Sequence, residues 1–517
     1  MTANIQISSV QLKTAGLVYI TMPVLLFLGC MLRPWIAVPS VLLALTALVV
    51  SIRFVRRSSD NDERSLSMSI WTILLVVGIV AGHCVLCGQF GLCVQVWDWF
   101  SRNATFRDLI THSWPVRYPN HGNTAMAFYF GHWLPAAFVG RGVLLATGSV
   151  DAAWRIGNFC LGLWTVAGVS IAFLLAGMRI GATSTGKMLV ILPVLLSFCG
   201  CFFFGMWARS WLTGSVPAGS WAGCFEFTTN EDLLSWVFHQ TVVPWIATAL
   251  LWEEGRKAFP YMLFVLADIP LCGPFPATGL GWMVATVVVV ELYHAVRDGR
   301  ILKLISEVVT IPNAVGVIVV VPLVASMLFA NSASGMVGPS WTGVASRKLF
   351  AAAWVAFFCC EVGVYGLALL RREIGNPYFW GCFSYLAVCP LVKIGHAHDF
   401  CMRASIPALF GVMIMCLGLA LHGGRKFMLE RLAVLICLVL CAYFYWNQSV
   451  GKIRSTIACY RTGRPVACDP LYTYDRDFAK FPISSEADRM MLVFSDHFYC
   501  KDPQQSVFFR HLAKDPQ

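Results

Sequence analysis

Charge is what this chain has least of. Only 13% of its 517 residues are Asp, Glu, Lys or Arg, where a soluble domain carries about 25%. With 58% of residues hydrophobic, the deficit excludes a water-soluble globular chain. Short segments of alternating apolar and polar residues are missing too, which excludes a transmembrane β-barrel. There is no Gly-x-x-x-x-Gly-Lys-Ser/Thr, hence no Walker-A nucleotide site. There is no internal repeat, where secondary transporters show matched halves and paired broken helices, and no low-complexity tract. No cleavable leader is evident: the first apolar stretch, Ala15 to Leu32, ends in Arg33-Pro34-Trp35 and runs straight into a second, so it reads as a retained helix. Cysteine is not lacking, at 20, but no CxxC pair has zinc-type partners. Cys84 and Cys87 sit at the end of an apolar run, where Cys behaves as a small hydrophobe.

What is there is a series of long apolar runs from end to end, the pattern of an all-α polytopic membrane protein. The runs predict about 13 transmembrane helices, at 15–32, 35–52, 67–87, 155–178, 188–208, 236–252, 258–275, 278–296, 312–330, 349–370, 377–393, 404–421 and 429–446. Basic residues fill six short loops: Arg53, Arg56, Arg57 and Arg64; Arg179 and Lys187; Arg256 and Lys257; Arg297, Arg300 and Lys303; Arg371 and Arg372; Arg425 and Lys426. With these spans all six fall on one face, which the positive-inside rule makes cytoplasmic. The N-terminus is then inside and the C-terminus outside. The net charge of +11 is thereby accounted for by orientation, with no call for a nucleic acid partner. Residues 124–149 are apolar enough to pass as a further span, but counting them would reverse every later loop. Residues 98–150 are therefore expected to form the first large external loop, carrying interfacial helices. Residues 1–446 make the transmembrane domain and 447–517 a small external C-terminal segment, in which Cys459 and Cys468 either pair across a short loop or stay free.

The external loop opens on a charged, aromatic island, Val96-Trp97-Asp98-Trp99-Phe100-Ser101-Arg102-Asn103, followed by Arg107-Asp108 and Trp114-Pro115-Val116. A carboxylate just after a span sits at the membrane–water boundary. Partial desolvation there lifts its pKa toward working pH, which suits a general base. Asp98 equally suits the N-cap of a helix starting at Trp99, and the two roles are compatible. Arg102, four residues on, shares its helix face.

Two more external groups carry chemistry. Lys393, His396, His398 and Arg403 form a cationic cluster around Asp399. Such a cluster suits a phosphate, with Arg403 able to bind it bidentately; the plainer reading is a set of interface anchors. The loop at 224–241 holds Glu226, Asn230, Glu231 and Asp232, a solvated acidic stretch, and then His239-Gln240 at the mouth of a span. His239 is a candidate for orienting an acceptor, or a satisfied core histidine. Asp268 lies inside a span, where an acid marks a paired or functional position; Glu291 and Glu361 lie near span ends.

An aspartate just after an early span, in an external loop that carries helices and precedes many more spans, resembles the GT-C class of integral-membrane glycosyltransferases. Asp98-Trp99-Phe100-Ser101-Arg102-Asn103-Ala104 with Asp108-Leu109 and Trp114-Pro115-Val116 looks like bacterial proteins of that type. So do Phe238-His239-Gln240 with Pro244-Trp245, Gly273-Pro274-Phe275-Pro276-Ala277, and Asp399-Phe400-Cys401-Met402-Arg403-Ala404-Ser405-Ile406-Pro407. Together they cover about residues 90–410. The resemblance implies a GT-C-like fold in a bacterial cytoplasmic membrane, serving glycan synthesis in the cell envelope. It implies a polyprenyl-phosphate sugar donor, a glycan, lipid or protein acceptor, and contact with membrane lipids; no cofactor is expected, and a divalent metal, for which His396, His398 and Asp399 are candidate ligands, stays open. Asp98 maps onto the family's catalytic aspartate. Arg403, Lys393, His396 and His398 are then expected at the donor phosphate, and Arg102, Asp108, His239, Gln240 and Asp399 around the acceptor. The chain departs from commoner members, which carry a second acidic residue beside the first or another acidic motif in the next external loop, and in which one span rather than three precedes the loop. A multi-span transporter or lipid flippase, or a polymerase or ligase of lipid-linked glycans, shares the topology.

Overall fold

The computed structural model describes residues 6–60, 67–119, 124–215, 220–223, 225–332, 337–342, 344, 346–394, 399–468 and 498–515, without the side chains of Ser59, Asp60 and Glu253. His396 and His398 lie outside the described residues. The helices in chain order are α1 (Ser9–Met31), α2 (Pro34–Asp60), α3 (Ile70–Leu86), α4 (Trp99–Thr111), α5 (Leu134–Thr147), α6 (Val150–Arg179), α7 (Thr185–Ser197), α8 (Phe202–Thr213), α9 (Asn230–Trp236), α10 (Phe238–Glu254), α11 (Met262–Asp268), α12 (Pro274–Arg297) and α13 (Ile301–Val308). They continue with α14 (Ile311–Phe329) and α15 (Arg347–Glu373), then α16 (Pro377–Val388), α17 (Asp399–Ala404), α18 (Ile406–His422) and α19 (Met428–Thr462). The short strands are β1 (Gln6–Ser8), β2 (Ser67–Ser69), β3 (Arg117–Tyr118), β4 (Thr124–Met126), β5 (Val337–Pro339), β6 (Val392–Ile394) and β7 (Tyr499–Cys500).

Polar residues at the apolar runs' ends start the helices. Ser8 accepts from the Gln11 amide while Gln11 closes a capping box back onto it, and Ser149, Ser184 and Thr229 cap α6, α7 and α9. Gly148 ends α5 and Gly463 ends α19, both in the left-handed region that glycine enters without strain.

Among the described residues seven helices are long and apolar enough to cross a bilayer: α1, α2, α6, α12, α14, α15 and α19. The pair α7–α8, bent by 45° at residues 198–201, is an eighth candidate if the two helices act as one span. The chain is thus an all-α, multi-pass membrane protein, with apolar side chains such as Leu42, Val289, Ile318 and Val439 exposed on its helices for lipid contact. Other expected spans take different forms. Residues 258–275 follow a 3₁₀ turn at Gly255–Ala258 and hold the seven-residue α11. Asn313 explains how such broken backbone survives in the interior: its side chain accepts from the Leu263 and Phe264 amides and donates to the Phe259 and Val308 carbonyls. α16 has 12 residues, and α10, α3 and α18 have 17 each. α19 continues past 446 as one helix to Thr462.

Contacts sort the loops into two sets. On one face β1 pairs with β2, Glu254 meets Lys13 and Ser58, Arg256 bridges Glu291 and Glu307, His422 reaches the Ile180 carbonyl, and Arg371 contacts Glu430. On the other face β3, β4 and β7 form one sheet, β5 pairs with β6, Arg33 binds the Ala513 carbonyl, Asn331 donates to the Ala127 carbonyl, and Lys452 meets Glu231. The first set holds the six short basic loops; the second holds the Asp98 island, so we call it the island face. The 124–149 stretch begins there in β4, reaches His132, bonded to Thr165 of α6 at 3.1 Å, and returns as α5. At 14 residues α5 is about 21 Å long, too short to cross. It packs on α6 and leaves Phe138, Val139 and Leu145 exposed.

The tail is stapled to this face. Asn103 donates to Gln95 and to the Cys468 carbonyl at 2.9 Å, and Phe508 stacks on Phe27. Cys459 and Cys468 are both free, so of the two sequence alternatives the disulfide is excluded: Cys459 is held in α19 while Cys468 is buried against the Gln95 and Val96 carbonyls.

Candidate functional site

Two cavities of similar size open within the island-face half of the molecule. The first is about 460 Å³. Its long walls are apolar: Pro274 and Phe275 at the start of α12, Val321, Val324, Leu328 and Phe329 along α14, and Val337 and Ile394 from the β5–β6 pair. Its polar end is Asp399 and Arg403, on the one-turn-plus helix α17. Glycine sets that helix close to α12: a Cβ on Gly279 would collide with the Ala404 carbonyl.

Arg403 is held from both sides. One terminal nitrogen lies 2.8 Å from Asp399, four residues back, and the other donates to the Tyr129 hydroxyl at 3.2 Å. Its Nε has no partner among the described residues, and the side chain is 12% exposed. The apolar chamber thus ends in a guanidinium paired with a carboxylate, and a guanidinium is a group suited to an anionic head. Tyr129 in turn stacks on His239 at 5.7 Å between ring centroids, with 5° between the planes, and Trp133 stacks on His239 at 4.5 Å.

Asp98 occupies the N-cap position of α4, but its backbone is already helical and its side chain makes no cap hydrogen bond. Its carboxylate instead lies 3.5 Å from Arg102 and stays 40% exposed. Arg102 is buried and anchored by its Nε to the Trp236 carbonyl; Trp99 is anchored the same way to the Ser235 carbonyl. Asp98 is therefore a held, accessible carboxylate rather than a cap. It is near enough to act on the Arg403 guanidinium electrostatically, behind Asp399 and Tyr129.

The other candidates divide. Asp108 is fully buried and accepts from the Tyr118 hydroxyl at 2.8 Å. His239 and Gln240 are fully buried and bonded to each other at 3.4 Å. These three were expected around the acceptor, yet all are enclosed and none lines either of the two cavities; aromatic neighbours cover the histidine and the α4–β3 turn covers the aspartate. His239 supports Tyr129 from behind. Lys393 sits in β6, paired across to Gly338, and does not line the chamber. Asp268, whose partner was open, accepts from Thr21 at 2.8 Å.

The second cavity, about 470 Å³, lies where α7 breaks into α8 and α15 takes a π-turn at Cys359–Gly363. Glu226, Glu231, Asp232 and Glu361 all line it. Trp221 donates to Glu361 at 2.7 Å, and Gln448 to Asp232 at 2.6 Å. Burial and the charges of Asp232 and Asp399 push the Glu226 carboxyl up to about 7. The sequence flagged the acids at 226–232 as a solvated loop; nothing in it pointed to Tyr129 or to Glu361 joining them. Among the described residues no group of three or more His, Cys, Asp or Glu could hold a metal ion.

Compared with protein-family models, curated proteins and solved structures, the chain matches none.

Proposed function

We propose that the protein is a membrane glycosyltransferase that moves a sugar from a polyprenyl-phosphate donor to an acceptor hydroxyl at the island face, with the short basic loops in the cytoplasm. The observation that carries the reading is the first cavity: apolar walls on α12 and α14 with Arg403 at the polar end, a shape suited to a phosphate-headed lipid chain. In this reading the lipid lies along α14 and its phosphate accepts from Arg403. The acceptor oxygen attacks the anomeric carbon, the carbon–oxygen bond to phosphate breaks, and the polyprenyl phosphate leaves with the bonding pair, inverting the centre. Asp98 takes the acceptor proton as general base, and Arg403 stabilises the charge that develops on the departing phosphate. His239 and Gln240 position Tyr129 and the 271–273 turn rather than meeting substrate. Purified protein with labelled polyprenyl-phosphate sugar tests this. Transfer to an acceptor extract, with release of polyprenyl phosphate, supports it. Donor movement between leaflets of reconstituted vesicles without sugar transfer would instead make the protein a flippase.

A further inference from the structure

The second cavity gathers more acidic groups than the described residues around it offset. Four carboxylates line it and no Lys, Arg or His does. The nearest cation, Lys452, is already committed to Glu231 at 2.9 Å and to Ser235 at 2.7 Å. The Glu226 carboxylate has no partner among the described residues, and burial pushes Glu231 and Asp232 upward along with it. Neutral acceptors and donors are free as well. Among the described residues the hydroxyls of Ser197 and Thr228, which line the cavity, have no hydrogen-bond partner, although those residues are only 2% and 3% exposed. The second oxygen of Glu361, in a residue 2% exposed, is also unpartnered. Buried polar groups left unpaired are costly, so such a set points to a ligand that pairs them. The carboxylates are spread around the chamber rather than converging on one point, which suits an extended organic cation better than a metal ion.

We infer that this cavity binds a protonated amine carried on a hydroxylated group, the chemistry of an amino sugar or an aminoalcohol head group. The ammonium meets Glu226 and Glu361, and the ligand's hydroxyls meet Ser197 and Thr228. The site adjoins the first cavity: the Glu226 carbonyl accepts from Cys401 of α17, the helix that carries Asp399 and Arg403, at 3.4 Å. Taken with the transferase reading, on which this one step rests, the amine-bearing compound is the acceptor. Binding itself requires no donor and is independent of that reading.

The test is equilibrium binding to purified full-length protein in detergent, without donor. The probes are radiolabelled glucosamine and ethanolamine, with N-acetylglucosamine as the neutral match. Saturable binding of either amine, at least tenfold tighter than the neutral sugar, is expected, and glucosamine above ethanolamine would assign a sugar rather than a head group. Glu226→Gln should weaken it tenfold or more. Thr228→Val should weaken it several-fold while leaving the melting temperature level or higher, because it removes a buried hydroxyl with no partner. That variant separates a lost contact from a lost fold. Equal binding of N-acetylglucosamine, displacement of the amine by stoichiometric Mg²⁺, no saturable amine binding, or amine binding unchanged in both variants would each overturn the inference. Donor turnover is not read, so the transferase proposal can fail without touching this result.

Discussion

The two island-face cavities have nearly the same volume, about 460 and 470 Å³, and opposite chemistry. One is a hydrocarbon trough with a single guanidinium at its head. The other is walled by carboxylates and unpaired hydroxyls. They meet where the Glu226 carbonyl touches α17. The difference teaches that size says little about what a membrane-depth cavity takes. Placement does: the first cavity is built from the flanks of helices that contact lipid, the second from breaks in helices. Irregular backbone at that depth is tolerated only where it is buried in protein or lines a cavity, and the α7–α8 bend and the α15 π-turn fall together there. Indeed the Cys201 amide at the bend donates to the Glu361 carbonyl of the π-turn, so each break satisfies the other.

The sharpest way to break the assignment is at Asp98, the proposed general base, which lines neither cavity. Asp98→Asn keeps the size and the Arg102 neighbour but cannot take a proton. Transfer should fall by about 10²–10⁴-fold with donor affinity unchanged, measured by turnover of labelled donor beside equilibrium binding. Full turnover in this variant would move the base to another carboxylate, and Glu226, on the shared wall, is the next to test.

Next in size is the head of the hydrocarbon trough. Arg403→Ala removes a charge-assisted contact worth about 1.5–3 kcal/mol, so donor affinity should drop about 10- to 150-fold. Arg403→Lys should recover part of this, since a point charge lacks the fork. The second cavity supplies the control: Glu226→Gln should leave donor affinity unchanged. A donor that binds Arg403→Ala like the wild type does not use the trough's head.

Asp108 lies outside the linings of both cavities. It is enclosed and bonded to Tyr118, so Asp108→Asn and Tyr118→Phe should lower stability by about 1–3 kcal/mol while the folded fraction keeps its turnover. Thermal melts read against specific activity decide it. Loss of turnover at unchanged stability would return Asp108 to the reaction.

The sequence made the outline legible. Apolar length and basic short loops predict a helical bundle with two faces, and the contacts keep those loop sets apart. Asp98, Arg102 and Arg403 could be picked out because an acid or arginine at a span's end has few reasons to be there. The count of crossings was harder. Residues 258–275 are apolar enough to span, yet they fold as short pieces because Asn313, fifty residues on, takes up the Leu263 and Phe264 amides, and no local pattern announces a distant cap. The enclosure of His239 was one of the two readings open to it, but the rings that cover it, Trp133 and Tyr129, come from another part of the chain. The acidic cavity was half visible, its loop acids in plain sight and Glu361 filed under span ends, because the helix breaks that join them depend on tertiary contacts.

The smallest expected effect is also the most specific to the acidic side of the comparison. The Glu226 carboxyl stands at about 7, mainly through burial and then through the charges of Asp232 and Asp399, well above the ordinary glutamate range of about 4.3. Below that ordinary value, folded and unfolded chains both hold the proton. Between it and about pH 7 the unfolded chain releases the proton while the folded one keeps it, so raising the pH favours unfolding across this window and adds nothing above it. Glu226→Gln does not titrate. From pH 5 to pH 8 the wild type should therefore lose more melting temperature than Glu226→Gln, by about 2 °C. A saturating amine ligand should narrow the gap, because a cation beside Glu226 stabilises its charged form and draws its titration back down. Parallel melts of wild type and Glu226→Gln across the window would mean that water or a neighbouring cation already satisfies that carboxylate, and the two cavities would then differ less than their linings imply.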